Sequence, residues 1–377
     1  MNHPTLHPLV LVLATLAACI TPTPPPTNGP PTATAPSSRS PTSQATPRPR
    51  PTATLSDVDT FLYKAPNNIR VMTYNVNWDS IFPEDDPMNH ELRAFNRVES
   101  FGRIMRALRP DVLCLQEIND RRSPQALADF LTQVMGSGQD QRWQVASVRD
   151  DVIATRFELI EEGFGLVTRS VLPTLSQAAA LVDLPNAAFG PNDLYVVCAH
   201  FKSGGGLGDI LLRGRQADVI MAHVRDFETP GGSLDLLAGT PFIIMGDFNA
   251  YDTDPALHLR TLAQGDIYNE NSYGEDVYPD WDGTALTDVM PRHNGRGTDN
   301  YTWRNDAEPF NPRALDRVIY SDSALQLENA FVLNTTLLAD EVLAAHDLER
   351  DDVVLDRKSG NFDHLPVVVD FRVIESP

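Results

Sequence analysis

Apolar runs of four to seven residues, each closing on a polar group, recur from about residue 69 to the C terminus. Ile69–Val76, Val112–Ile118, Leu194–His200, Pro241–Gly246 and Pro366–Val373 are short, rich in β-branched residues and bounded by turn residues, the pattern of strands buried on both faces. Between them lie segments of helical periodicity. Asn96–Leu108 places Val98, Phe101, Ile104, Met105 and Leu108 on one side and stops before Pro110; Leu207–Phe227 does the same with Ile210, Leu211, Ala217, Ile220, Met221 and Val224. A further helix is expected near Pro124–Met135. Trp143–Val148, Asp151–Arg156 and Gly165–Arg169 read as an antiparallel meander, and Leu286–Val289, Ala314–Tyr320 and Gln326–Leu333 as additional strands. With no fixed-period repeat and no break in composition, residues 57–377 read as one mixed α/β domain.

Ligands in α/β sheets gather beyond strand ends. Here those ends carry Asn75, Glu117, His200, Asp247 with Asn249, Asp316, and Asp363 with His364. A hard divalent cation that keeps several waters suits one carboxylate, Glu117, helped by an amide, Asn75. In GDFN the glycine permits a sharp exit, and Asp247 and Asn249, two apart, share one side of an extended chain. Asp orients or deprotonates water; Asn donates to a phosphoryl oxygen without adding charge. An Asp316–His364 pair would fix the imidazole tautomer and raise its pKa, and His200 is a candidate donor toward charge growing on phosphorus-bound oxygens. Taken singly, each residue also reads as a turn residue or a solvated strand end.

Lys202, Arg213 and Arg215 lie within reach of a substrate phosphate in sequence terms, although the two arginines read more simply as solvated helix residues. Gly204–Gly206 lacks the GK[ST] ending of a phosphate-binding loop and reads as a turn. Two long acidic connections, 267–282 and 338–361, are expected to face substrate; the first carries Tyr268, Tyr273, Tyr278 and Trp281.

Composition changes the picture at the N terminus. The first 56 residues hold no Asp or Glu, three arginines (Arg39, Arg48, Arg50) and a dense Pro/Thr/Ser stretch that cannot build a core. Before it, Leu9–Ala18 is an apolar segment too short for a permanent membrane span, ending in Leu16-Ala17-Ala18-Cys19. That tetrapeptide resembles a bacterial lipobox, in which the cysteine becomes the lipidated first residue; the n-region departs from the pattern by holding His3 and His7 but no Lys or Arg. The expected division is therefore a signal peptide at 1–18, a lipidated Cys19 and tether at 19–56, and a catalytic domain at 57–377. The whole chain carries a net charge of −21, hence −24 once the three arginines are set aside, which argues against tight non-specific gripping of nucleic acid but leaves room for charge supplied by bound cations. Cys114 and Cys198 sit inside apolar runs and are expected as separate small buried hydrophobes rather than a disulfide.

Read in order, TYNV, LQE, AHFKSGG, GDFNA, LDRVIY and DHLPV resemble the endonuclease/exonuclease/phosphatase superfamily, the deoxyribonuclease-like metal phosphoesterases, over roughly Ile69–Phe371. The resemblance implies a four-layer α/β/β/α sandwich of two mixed β-sheets flanked by helices, with the site at one rim. It implies Mg²⁺ or Mn²⁺ held by Asn75 and Glu117 with help from Asp363, water and phosphate positioned by Asp247 and Asn249, and a transition state stabilised by His200. His364, paired with Asp316, would be the general acid–base residue.

The expected protein is a membrane-tethered, extracytoplasmic metal phosphodiesterase of a bacterial cell envelope, acting as a monomer with extracellular nucleic acid as favoured substrate. Export sets aside intracellular DNA repair. The alternatives are a phospholipid or sugar-phosphate phosphoesterase of the same fold, for which the Tyr/Trp-bearing loop is the sequence argument, and a lipoprotein that binds without catalysis.

Overall fold

Burial on both faces explains why the central strands are nearly continuous apolar runs. In Leu194–His200, Leu194, Val196 and Cys198 enter one hydrophobic cluster while Tyr195, Val197 and Ala199 enter another, the period-two alternation of a strand sandwiched between layers. The computed structural model describes residues 60–374, apart from residues 84, 89–95, 136–141, 167–174, 176, 251–256 and 307. The expected signal peptide, Cys19 and the expected tether lie outside the described residues.

In chain order the elements begin with β1 (Ile69–Asn75), α1 (Val98–Leu108), β2 (Val112–Gln116), α2 (Pro124–Met135), β3 (Gln144–Val148), β4 (Asp151–Thr155), β5 (Glu158–Leu166) and β6 (Ala178–Asp183). Then come α3 (Asn186–Phe189), β7 (Leu194–His200), α4 (Leu207–Glu228), β8 (Phe242–Asp247), α5 (His258–Gln264), α6 (Glu270–Tyr273), β9 (Thr287–Val289) and β10 (Arg292–His293). The chain finishes with β11 (Trp303–Arg304), β12 (Asp316–Tyr320), β13 (Leu325–Val332), α7 (Asp340–Ala345), β14 (Asp363–His364) and β15 (Val367–Val373). A seven-stranded mixed sheet runs β10-β13-β15-β1-β2-β4-β3, a six-stranded one runs β5-β6-β7-β8-β12-β9, and β11 and β14 form a short ribbon.

The two sheets share a core in which Val71, Leu113 and Val369 belong to the same cluster as Ala180, Val196, Ile243 and Met245. Helices α1 and α2 add Phe101, Ile104, Leu127 and Leu131 to that cluster, while α4 covers the six-stranded sheet with Ala217, Ile220, Met221 and Val224. The architecture is the expected one of two large mixed sheets flanked by helices. Helix α1 stops because Arg109 turns left-handed (φ 48°), its amide closing on the Met105 carbonyl, ahead of Pro110.

Three expectations need correction. Cys114 on β2 and Cys198 on β7 are bonded to each other, with Cα atoms 5.4 Å apart. They lie on facing sheets rather than on neighbouring strands of one sheet, so the pairing geometry that argued against a bond does not apply. The closed loop spans 84 positions, a cross-link of the kind that stabilises by about 2–4 kcal/mol. Arg213 is not solvated: it is fully buried and its Nη1 donates to the carbonyls of Lys202 and Gly204 (2.8 and 2.7 Å), pinning the turn ahead of α4, whereas Arg215 is exposed as expected. The 267–282 connection lies at the rim opposite Asp247 and Asp316. Its Trp281 Nε1 donates to Thr240 at the start of β8, its Asp280 accepts from Ser323 beyond β12, and Asp218 of α4 receives the Tyr268 and Asn269 amides. Its length is spent along the second half of α4, from Asp218 to Arg225, which donates to the Glu275 and Tyr273 carbonyls.

At that far end Glu228 has one carboxylate oxygen, Oε1, buried with no partner among the described residues. Burial, reinforced by the charge of Asp280, pushes its pKa up to about 8. A raised folded-state pKa means the stability is full below the ordinary carboxylate range and is lost as pH climbs through about 8. Glu228→Gln should therefore raise Tm more at pH 9 than at pH 5 in thermal unfolding; an equal shift at both values would contradict the assignment.

Candidate active site

The strand directions bring the predicted residues to one rim. β1 and β2 run parallel, with Asn75 beside Gln116, so Asn75 and Glu117 leave the seven-stranded sheet together. β7 and β8 run parallel with His200 opposite Asp247, and antiparallel β12 sets Asp316 against Asp247 on the other side. Gly246 is required for that meeting: its φ is 147°, and a Cβ there would stand 1.9 Å from the Ala199 carbonyl oxygen. Thus the glycine of GDFN acts inside the strand, letting β8 lie close to β7.

Across the rim, the Asn75 side-chain amide donates to Glu117 Oε1 (3.0 Å) and to Asp247 Oδ2 (3.1 Å), joining the two sheets. Asp247 Oδ2 is also 3.7 Å from Nε2 of both His200 and His364. Each imidazole has its own carboxylate on the far nitrogen. His364 Nδ1 lies 2.8 Å from Asp316 Oδ2, and His200 Nδ1 lies 2.7 Å from Asp150 Oδ2. Asp316 also accepts from the Thr302 hydroxyl (2.5 Å), so its orientation is fixed from two directions. The amide of Asn249 donates to Asp247 Oδ1 (2.9 Å) and its side chain to the Phe201 carbonyl (3.0 Å).

Asp363 stands beside this group rather than in it. Its Oδ2 accepts from Asn77 and its Oδ1 from Trp303 Nε1 (3.0 Å), a brace between the turn after β1 and the β11–β14 ribbon. Glu117 at φ 63°, Asn249 at 48° and Asp363 at 59° are all left-handed non-glycine residues. Backbone strain of this kind, of order 1–3 kcal/mol each, is held only where surrounding contacts over-determine it.

Electrostatics follow from burial. Burial pushes the Glu117 carboxyl up, against the attraction of His200 and the Asn75 hydrogen bond. Burial would depress His200, but the Asp150 hydrogen bond and the charges of Asp247, Asp150 and Glu117 outweigh it and lift the imidazole to about 10. Burial likewise works against the charge on Asp150, and His200 overcomes it, holding Asp150 below its ordinary value. His364 is raised well above its ordinary value, burial being outweighed by Asp316 and Asp247.

Asp247, Asp316 and His364 present ligand atoms within 4.8 Å of one another, a set able to hold a cation. Glu117, Asn75 and Asp247 form a second, overlapping set. Asp316 is buried and bonded through Oδ2 to His364 and Thr302, while its Oδ1 has no partner among the described residues, so the first set can serve as a proton relay or hold a cation; Glu117 and Asp247, joined through Asn75, offer the other pair of carboxylates. Clefts of about 960 and 910 Å³ elsewhere on the described surface contain none of these residues, so chemistry and not cavity size locates the site.

Asp150 was not foreseen. It sits in the β3–β4 turn, in the sequence Arg149-Asp150-Asp151, where nothing separates a functional carboxylate from a turn former; only the antiparallel pairing of β4 with β2 brings it to the rim. If it fixes the His200 tautomer, Asp150→Asn should lower kcat/KM on a phosphodiester on the order of 10²-fold, and adding His200→Ala should cost little more. Steady-state kinetics giving multiplicative losses would separate the two residues.

Solved structures to which the chain is similar include three of low sequence identity. The human Nocturnin catalytic domain with bound sulfate is 17% identical, the likeness covering 82% of this chain and 95% of that one, with a TM-score of 0.46. An endonuclease/exonuclease/phosphatase from Beutenbergia cavernae is 19% identical over 81% of this chain and 72% of that one (TM-score 0.46). ANGEL2, a 2′,3′-cyclic phosphatase in complex with adenosine-2′,3′-vanadate, is 16% identical over 82% and 97% (TM-score 0.48). No curated protein matches the sequence. The profile of the Endonuclease/Exonuclease/phosphatase family matches residues 72–339, most of the folded region, and the chain belongs to that family of metal-dependent phosphoesterases.

Proposed function

We propose that this protein is an exported, lipid-tethered phosphodiesterase that uses Mg²⁺ or Mn²⁺ to hydrolyse extracellular nucleic acid. The observation that carries the reading is the pair of imidazoles set at equal distance, 3.7 Å, from one oxygen of Asp247, each backed by its own carboxylate. A pure binder has no use for two carboxylate-backed imidazoles converging on one buried acid.

In this scheme Asp247 orients the attacking water and takes its proton, helped by Asn249, while His200 donates to the phosphoryl oxygens. His364, fixed by Asp316, gives its Nε2 proton to the leaving oxygen. Glu117 and Asn75, with Asp247, would hold the cation, which when bound neutralises charge on the phosphoryl group. The residues fit such an ion. Glu117, Asp150, Asp247, Asp316 and Asp363 are five carboxylates at the rim, against His200, His364 and the part-exposed Arg149.

Export is supported by the Cys114–Cys198 disulfide, since such bonds form and persist in oxidising compartments. No described helix is long and apolar enough to cross a membrane, so attachment through Cys19 remains part of the proposal. Nucleic acid is favoured over phospholipid because the Tyr/Trp loop that argued for a lipid surface lies at the opposite rim.

Hydrolysis of bis(p-nitrophenyl) phosphate should be abolished by EDTA and restored by Mg²⁺ or Mn²⁺, and His364→Ala should lower kcat about 10²–10⁴-fold. Activity indifferent to both treatments would overturn the mechanism.

A further inference from the structure

The Asp316–His364 pair depends on a residue outside it. Thr302 is buried one place before β11, and its hydroxyl uses every hydrogen bond open to it: it accepts the main-chain amides of Leu315 and Asp316 (both 3.0 Å) and donates its single proton to Asp316 Oδ2 (2.5 Å). With two N–H groups donating to the hydroxyl oxygen, its own proton has one place to go. Asp316 Oδ2 therefore receives the Thr302 hydroxyl from one side and His364 Nδ1–H from the other (2.8 Å), while Oδ1 has no hydrogen-bond partner among the described residues. All alignment of the carboxylate passes through one oxygen.

The main chain of the same residue reaches the other partner. The Thr302 carbonyl accepts the Leu365 amide (2.7 Å), one place after His364, and the next residue, Trp303, pairs with His364 in the β11–β14 ribbon. One threonine thus holds the carboxylate by its side chain and the backbone of the imidazole by its carbonyl. Other buried threonines serve the fold alone: the Thr155 hydroxyl donates to the Asp111 carbonyl (2.9 Å) and accepts the Phe157 amide (3.1 Å). Thr302 differs in what it grips.

Resting on the phosphodiesterase reading, we propose that Thr302 is a positioning residue for His364: its hydroxyl holds Asp316 Oδ2 against the imidazole and so keeps Nε2, the nitrogen that transfers the proton, aimed at Asp247. Asp247 lies directly opposite Asp316 on the neighbouring antiparallel strand, and like charges so placed repel. Without the Thr302 donor, His364 alone would hold Asp316 against that repulsion. The imidazole would then be its own anchor. With the donor in place, Asp316 is fixed independently of the ring, the Nδ1–H tautomer follows from the carboxylate, and Nε2 stays 3.7 Å from Asp247 Oδ2.

The test compares the full-length wild type with Thr302→Val, which keeps the branched shape and loses the hydroxyl, and with Thr302→Ser, which keeps the hydroxyl. On bis(p-nitrophenyl) phosphate in Mg²⁺, Thr302→Val should lower kcat about 10–100-fold with KM within about twofold, Thr302→Ser should keep most of the rate, and Thr302→Val added to His364→Ala should cost nothing further. Proton NMR reads the same contact without turnover. The carboxylate-bonded ring protons of His364 and His200 each give a low-field resonance, assigned by His364→Ala and His200→Ala. Thr302→Val should displace the first and leave the second in place; Thr302→Ala makes the same comparison where the valine protein does not fold. An unmoved His364 resonance, equal movement of both, or equal rates for the valine and serine variants of an active enzyme overturns the proposal. A wild type that cleaves no phosphodiester sinks the phosphodiesterase reading instead, and the resonances still decide what Thr302 does.

Discussion

Carboxylates taken out of water must find positive charge, and that requirement organises the rim of this sandwich. Asp247 is 2% exposed and Asp316 1%, and both are reached by imidazoles rather than by fully ionised lysine or arginine side chains. Imidazoles can take up or release a proton during a reaction, which a guanidinium cannot. The shortfall of positive charge makes the same rim receptive to a divalent cation. Stability and chemistry thus draw on the same atoms: Asn75 links Glu117 of one sheet to Asp247 of the other through two hydrogen bonds from a single amide.

Such an arrangement works only if the sheets hold their distance. The Cys114–Cys198 bond crosses the core directly behind the site, three residues before Glu117 and two before His200. Gln116, between Cys114 and Glu117, lays its side-chain amide against Thr73 and the Cys114 carbonyl. At the opposite end of β1, Arg70 makes a buried bidentate pair with Asp370 (2.6 and 2.7 Å) and donates to the Leu62 and Leu108 carbonyls. Both ends of the central strand are therefore clamped, one by polar groups that leave no freedom and the other beside groups that must stay reactive.

The strands that carry the site were legible because they are buried on both faces and end in chemistry; Leu194–His200 is found as read, β1 and β15 differ by a residue at one end, and β8 is displaced by one residue at both. Predicted site residues from Asn75 to His364 gather at one rim for the same reason. What escaped was information held by pairing rather than by local pattern. Strand β6, AAALVD, carries too many alanines to announce itself, and is made a strand by lying between β5 and β7. Asp150 reads as a turn residue until β4 pairs with β2. The cysteines face each other across the sandwich, a relation no spacing encodes. The aromatic loop was long enough to suggest substrate, yet only the directions of β8 and β12 reveal that it closes the wrong end.

Anomalous scattering from a Mn²⁺-soaked crystal tests the central claim most directly. A cation should stand at the meeting of the two sheets, with a Glu117 carboxylate oxygen about 2.1 Å away and Asp247 in its coordination or water shell. A fully occupied ion held elsewhere, with Glu117 untouched, would contradict it.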